Sequence, residues 1–250
     1  MELQQLKQQL EKEMKGTIVH TDIWCLPMHT YEITYQPIEK KTMDILMKIL
    51  LYSFQKSTFE NAEELSDILL VEPLFIEDLM RKMQKNGLLA RENKVYQLTE
   101  KGKQQFAQGV FEEELDPVTV ELLYSPTHSN IFHGDIEEVL DYDDFPDQLY
   151  RYMKNEEETL NQEFFINEIQ KMYLDSMDES EQEIKSILSL EKVQINDVPC
   201  IEWIIWNNEK KEFFPRVWNT LLNNWDEFLE KEIFEKEKLE WFEKFQSEIK

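Results

Sequence analysis

Leucines at helical spacing among glutamine, lysine and glutamate run from Met1 to Lys15, and this amphipathic pattern predicts a helix that Gly16 ends. The stretch TIVHTDIWCLPMHTYEITYQ follows. It is rich in β-branched and aromatic side chains with Pro27 near its middle, so two strands joined by a turn are expected. From Thr42 a helical period returns, and Ile45, Leu46, Ile49, Leu50 and Phe54 form a core-facing stripe. Asn61 stands three residues before Glu64, the spacing of a capping box, and opens a second helix over AEELSDIL. A third begins at Pro73, which a first helical turn tolerates, with Phe75, Ile76, Leu79, Met80 and Met83 on one face and Gly87 as terminator.

After Gly87 the period shortens. Leu88 to Arg91 and Val95 to Leu98 read as strands around the polar tip Glu92-Asn93-Lys94, and Thr99 caps a short helix reaching toward Gly109. Through AEELSDIL, FIEDLMRKMQKNGLL and YQLTEKGKQQF, the segment from Thr42 to Gly109 resembles the winged-helix superfamily of MarR-like and PadR-like regulators. The resemblance covers about 70 of the 250 residues and specifies a fold more than a function. It implies a second helix, a recognition helix ending in glycine, and a wing closed by a Leu-Thr-x-x-Gly turn.

Charge divides the chain unevenly. The formal net charge is −25, of which −23 falls on Phe111 to Lys250, −2 on Met1 to Tyr35 and none on Gln36 to Val110. Within that neutral stretch, seven bases and two acids lie between Leu79 and Lys103. In DNA-binding winged helices the third helix enters the major groove and the wing touches phosphate, so Arg81, Lys82, Lys85, Arg91 and Lys94 are the candidate nucleic-acid or partner-binding residues. Asn86 is a further phosphate donor. Glu72, Glu77 and Asp78, on the part of that helix that most often reaches bases, oppose phosphate.

A 41% hydrophobic composition with 15 Phe, 9 Tyr and 6 Trp supplies a core, and only 5 Gly and 8 Pro with 32% charged residues favour a helix-rich architecture. Cys25 and Cys200 are too few and too far apart in sequence for a disulfide framework, which fits a reducing compartment. The longest apolar run, MDILMKILLYSF, is about half a membrane span and carries Asp44 and Lys48. The N-terminal segment lacks the pattern of a signal or transit peptide.

In the acidic half, DPVTVELLYSPTHSNIFHGD suggests a strand pair, and EEETLNQEFFINEIQKMYLDSM a helix. VPCIEWIIWNNEKKEFFPRVW reads as a hairpin with Ile201, Trp203 and Ile205 on one face. A long helix follows, with Leu222, Trp225, Phe228, Leu229, Ile233 and Leu239 as its candidate buried stripe.

His128, His133 and Asp135, three potential ligands within eight residues, are the best metal or acid/base candidates, although zinc sites usually show tighter repeated spacing. His20, Cys25 and His29 flank the first expected hairpin without a fourth ligand. Asp197 and Glu202 begin a nuclease-like pattern that Ile204 breaks where lysine is needed. Carboxylate runs such as DYDD and EEEL meet loose spacing rules by chance in a chain with 52 acids. The aromatic set Trp203, Trp206, Phe213, Phe214, Trp218 and Trp225 reads first as core. No phosphate-binding glycine loop, nucleophile elbow or HExxH motif occurs.

The expectation is therefore a helix-rich α+β protein: residues 1–35 as a helix and hairpin, 36–110 as a winged helix-turn-helix domain, and 111–250 as an acidic α+β domain ending in a long helix. The leading functional expectation is a non-enzymatic, cytoplasmic adaptor without a cofactor, an accessory subunit of a nucleic-acid-associated assembly such as a prokaryotic defence system, whose acidic half docks a protein partner. One alternative is a dimeric DNA-binding regulator of transcription, with double-stranded DNA and a second copy as partners. Another is a metal-dependent hydrolase or nuclease built on His128, His133 and Asp135.

Overall fold

Pro27 does not divide the first β-region. The computed structural model, which describes residues 3–140, 145–154, 160–175 and 182–245, places one strand over Thr17–Thr42. In chain order the elements are α1 (Leu3–Glu11), β1 (Thr17–Thr42), α2 (Ile45–Lys56), α3 (Ala62–Leu69), α4 (Pro73–Lys85), β2 (Leu89–Glu92), β3 (Val95–Leu98), α5 (Glu100–Gln108) and β4 (Val110–Glu114). Then come β5 (Val118–Ser125), β6 (Asn130–Phe132), α6 (Ile136–Leu140), α7 (Gln162–Asp175), β7 (Gln182–Asn207), β8 (Glu212–Asn219), β9 (Asn224–Trp225) and α8 (Glu227–Phe245).

Seven strands form one antiparallel sheet in the order β6-β5-β1-β7-β8-β9, with β4 also paired to β1, while β2 and β3 make a separate hairpin. This overturns the expected fold class. The described residues are 39% strand, built around two strands of 26 residues each, and do not form a helix-rich chain opening with a winged-helix domain. The helices and hairpin between Ile45 and Gln108 do form, but as a segment between β1 and β4, two strands paired to each other from Ile38↔Glu114 to Thr42↔Val110.

The misreading has a physical source. Proline ordinarily interrupts a ladder because it lacks a donor. At Cys25 the main chain makes an isolated bridge instead, its N–H donating to the Gln148 carbonyl at 2.7 Å and its carbonyl accepting from Tyr150 at 2.8 Å. Residue 27 would aim its N–H to the same side, beyond that bridge, so Pro27 is accommodated there. Gly16, expected to end the first helix, instead leads into β1 after α1 has closed at Glu11. Its φ is +117°, and a Cβ there would meet Ile205 Cγ2 at 2.6 Å and the Trp206 carbonyl at 2.8 Å.

The chain divides into two units, each made from separated segments. One comprises Met1–Ile33, Val120–Asn161 and Ser189–Lys250, the other Thr34–Thr119 and Gln162–Leu188. In the first unit β7 buries both faces from Val198 to Trp206. Val198, Cys200, Ile204 and Trp206 pack with Trp24, Leu229, Ile233 and Trp241, while Ile201, Trp203 and Ile205 pack with Leu10. Each large apolar side chain removed from water in this way contributes about 1.5–3 kcal/mol. Of the expected stripe on α8, Leu229 and Ile233 are buried, whereas Phe228 and Leu239 face solvent.

In the second unit Met47, Leu50, Leu51 and Phe54 of α2 pack with Leu65, Ile76, Met80, Met83 and Leu88. Helix starts are fixed by side chains: Asp44 accepts from Met47 N–H, Asn61 from Glu64 N–H and Thr99 from Gly102 N–H. Each such cap is worth about 1 kcal/mol. The helix expected from Glu156 onward is described from Gln162, and residues 155–159 and 176–181 lie outside the described part. Among the described residues no helix is long and apolar enough to cross a membrane.

Candidate functional site

The cationic stretch of the second unit meets its counter-charge within the same unit. Strand β4 carries Glu112, Glu113 and Glu114 in succession. Lys82 Nζ lies 2.8 Å from Glu113, which also receives Lys41 at 3.2 Å, and Lys101 lies 4.0 Å from Glu112 and 3.9 Å from Glu114. The Lys82 hydrogen bond, aided by Lys41 and opposed by partial burial, holds the Glu113 carboxyl below its usual range. Arg81 pairs along its own helix with Glu77 at 3.1 Å and Asp78 at 3.8 Å.

Arg91 lies over the Tyr96 ring at 5.1 Å. Among the described residues, Lys85 and Lys94 make no ion pair; Lys94, with φ +72°, sits in the hairpin turn. Asn86 is buried, donating to the Lys82 carbonyl at 2.9 Å and accepting from Glu114 N–H at 3.0 Å, so its amide is engaged in the fold.

His128, His133 and Asp135 do not converge. His128 is buried between Ser125 and Asp226: Nδ1 is 2.7 Å from Ser125 Oγ and Nε2 is 3.2 Å from Asp226 Oδ1. A neutral ring donating from Nε2 to the carboxylate and accepting the serine hydroxyl proton at Nδ1 satisfies all three groups. His133 is exposed, and Asp135 accepts the N–H groups of Glu137 and Glu138 at the start of α6.

The Ser125-His128-Asp226 chain has the composition of a nucleophilic triad. Its chemistry is closed off, because Ser125 has no exposed surface and a substrate carbonyl cannot reach its hydroxyl. Asp226 has a fold role as well, accepting from Asn219 Nδ2 at 3.0 Å and from Leu229 N–H at 3.2 Å at the start of α8. Burial pushes its carboxyl up, but His128, Asn219 and Leu229 outweigh that and hold it below the usual range. Among the described residues no three His, Cys, Asp or Glu side chains are placed to hold a metal ion. The acids of DYDD lie outside the described residues.

A second network joins Arg151, Glu202 and Glu237, of which Glu202 is buried while Arg151 reaches the surface. Glu202, singled out in the sequence as part of a broken nuclease pattern, is 2% exposed and accepts from Trp24 Nε1 at 2.7 Å and from both Arg151 terminal nitrogens. Arg151 Nε also donates to Glu237, which accepts from Tyr152 at 2.9 Å and Trp241 at 3.2 Å. These carboxylates are committed to structural donors. His20 stacks on Phe245, Cys25 is buried, and Trp203, Trp206 and Phe213 are core, so most of the aromatic set packs the first unit.

What the sequence pattern misassigned is the apolar surface of the second unit. Ile45 and Ile49, read as core, are exposed together with Tyr52 at helical spacing on α2. At the corner between α3 and α4, Ile68 is 64%, Leu70 91%, Leu74 70% and Phe75 59% exposed. Leu70 there adopts φ +54°, a left-handed conformation that costs a branched apolar residue about 1 kcal/mol. Its side chain buries almost nothing in return.

Leu74 also borders a groove of 330 Å³ whose walls include Glu60, Glu63, Pro73, Glu77 and, opposite in charge, Arg81 and Arg91. The only available sequence signal was a hydrophobic count too large for one helix face: LSDILLVEPLFIEDLM puts apolar residues on both sides of α3 and α4. No protein-family model matches the chain, and no match was found among curated proteins or solved structures.

Proposed function

We infer that the protein is a non-enzymatic docking subunit that engages another protein through the helices of its second unit, in a cytoplasmic setting. The observation that carries this reading is the corner of Ile68, Leu70, Leu74 and Phe75, four large apolar side chains within eight residues, each more than half exposed. Scattered single hydrophobics are ordinary on a surface, whereas a contiguous group marks an interaction site. Support also comes from the chemistry elsewhere: the buried serine, histidine and carboxylates are hydrogen-bonded to one another or to the fold. Of the bases that suggested a phosphate-binding face, Lys82 is paired with β4 and Arg81 with Glu77 and Asp78 of its own helix.

The test is affinity capture with full-length protein beside a Leu70→Ser/Leu74→Ser/Phe75→Ser variant, followed by reconstitution of the captured protein from purified components. Because these side chains are exposed, the variant should keep its unfolding midpoint. A partner that binds wild type directly and loses at least about tenfold in affinity for the variant supports the reading. Equal binding to both proteins refutes it.

A further inference from the structure

We propose that the α3–α4 corner takes a basic amphipathic helix, a partner segment whose apolar side chains are flanked by lysine or arginine. This rests on the docking reading above and names the chemistry of its partner. Between Ser57 and Met80 the chain carries seven acids, Glu60, Glu63, Glu64, Asp67, Glu72, Glu77 and Asp78, and no base. Asp67 and Glu72 bracket the exposed Ile68 and Leu70 in sequence, and Glu77 and Asp78 stand one helical turn after Leu74 and Phe75 on α4. The apolar centre therefore has an acidic rim, the layout in which charge selects the partner and apolar area holds it.

Among the described residues Glu60, Glu63, Asp67 and Glu72 make no ion pair, so the rim is not neutralised in the way that Glu112, Glu113 and Glu114 are. Arg81 compensates Glu77 and Asp78 in part. The groove beside Leu74 presents Glu60, Glu63 and Glu77 to the basic neighbours of the partner's apolar residues, while Arg81 and Arg91, which also line it, confine those bases to the acidic side.

Charge also ranks the competing occupants. A second copy docked corner to corner would set seven acids against seven. A phosphate backbone or an anionic membrane would be repelled by the same rim. A helix with apolar residues at every third and fourth position and bases beside them satisfies both halves of the surface.

The experiment titrates the full-length protein with three labelled synthetic helical peptides, read by fluorescence anisotropy. One has a leucine stripe flanked by lysines, one the same stripe flanked by glutamates, and one lysines with glutamine in place of leucine. The protein is used as wild type, as Leu70→Ser/Leu74→Ser/Phe75→Ser, and as Glu72→Lys/Glu77→Lys/Asp78→Lys. Circular dichroism confirms that each variant is folded.

The Leu/Lys peptide is expected to bind wild type and to weaken at least about tenfold with either variant. The Gln/Lys peptide reports attraction to the acidic chain as a whole and should not distinguish wild type from the serine variant. If the Leu/Glu peptide binds wild type more tightly and loses that binding with the serine variant, the partner chemistry is wrong while the docking reading stands. If no peptide distinguishes the serine variant from wild type, the proposal falls, and the capture experiment decides separately whether docking falls with it. A stable dimer of wild type that the serine variant dissolves assigns the corner to a second copy and overturns the proposal.

Discussion

Arg151 grips the Glu202 carboxylate with both ends of its guanidinium, Nη1 to Oε2 at 2.7 Å and Nη2 to Oε1 at 2.9 Å, and the Trp24 indole holds the same carboxylate at 2.7 Å. A planar fork suits this bidentate geometry, and Glu202 itself is buried. Arg151→Met would leave a buried carboxylate with the indole as its remaining donor among these groups. The expected cost is about 3 kcal/mol in urea unfolding followed by tryptophan fluorescence. A further Glu202→Met change should recover part of that loss, since it removes the stranded charge. An unchanged midpoint for the single variant would show that the pair contributes little.

Asp226 gives a pH dependence of definite sign. Its folded pKa is depressed, so its stabilisation is complete above the unfolded-state value of about 3.9 and is lost as pH falls through the folded value. Asp226→Asn keeps a cap for α8 but offers His128 no charge. It should lower stability by about 1 kcal/mol at neutral pH, and the gap should close as the wild-type carboxyl protonates in acid. Unfolding curves for both proteins across that range are the check, and a constant gap would assign the effect to packing.

The two thiols should be inert in the folded protein. Burial, then the nearby charge of Asp197, pushes Cys25 up to about 12, and burial raises Cys200 well above the ordinary thiol value. At mildly alkaline pH the thiolate fraction of Cys25 is then about a thousandfold below that of an exposed cysteine. Alkylation should proceed at the exposed-cysteine rate only after denaturation. Fast native labelling would mean that this part of the sheet opens readily.

Sequence legibility tracked how local the deciding forces were. The caps at Asn61 and Thr99 and the β7–β8 hairpin depend on neighbours a few residues away, and each was readable. The two 26-residue strands were not, because Pro27 looks like a break and because LSLEKVQIND leaves much of β7 half-exposed or exposed. Ser125 and His128 could be suspected from proximity, but Asp226 is 98 positions from His128 and only the fold joins them. For Ile45, Ile49 and Phe75 the helical period was right and the buried face was wrong, since periodicity does not say which of two apolar stripes meets the core.

Gly102 offers a test confined to the second unit. A Cβ there would meet the Leu88 carbonyl oxygen at 2.4 Å and Leu98 Cδ1 at 2.7 Å, and the carbonyl belongs to a main chain already bonded to Thr99. Gly102→Ala should therefore cost about 2 kcal/mol despite the better helix propensity of alanine. All six tryptophans lie in the other unit. If the units unfold separately, the circular-dichroism transition of the helices will move while the fluorescence transition stays. Movement of both together would show that they unfold as one.

The pairing of the basic stretch with β4 leads to an expectation about DNA. Lys82 and Lys101 face Glu112, Glu113 and Glu114, and Arg81 faces Glu77 and Asp78, so a phosphate backbone would have to displace these carboxylates before gaining counterion release from those three bases, leaving Lys85, Arg91 and Lys94 as the ones outside ion pairs among the described residues. The rest of the chain adds a net −23 beyond Val110, which opposes approach at low salt, where screening is weakest. Wild type should thus bind a random duplex no more tightly than a variant with Arg81, Lys82, Arg91 and Lys94 changed to Glu. Changing Glu112, Glu113 and Glu114 to Gln should release Lys82 and Lys101 and raise binding in a salt-sensitive way. Salt-sensitive binding by wild type that vanishes in the folded charge-reversed variant would instead make this face a DNA contact, and would favour a regulator over a docking subunit.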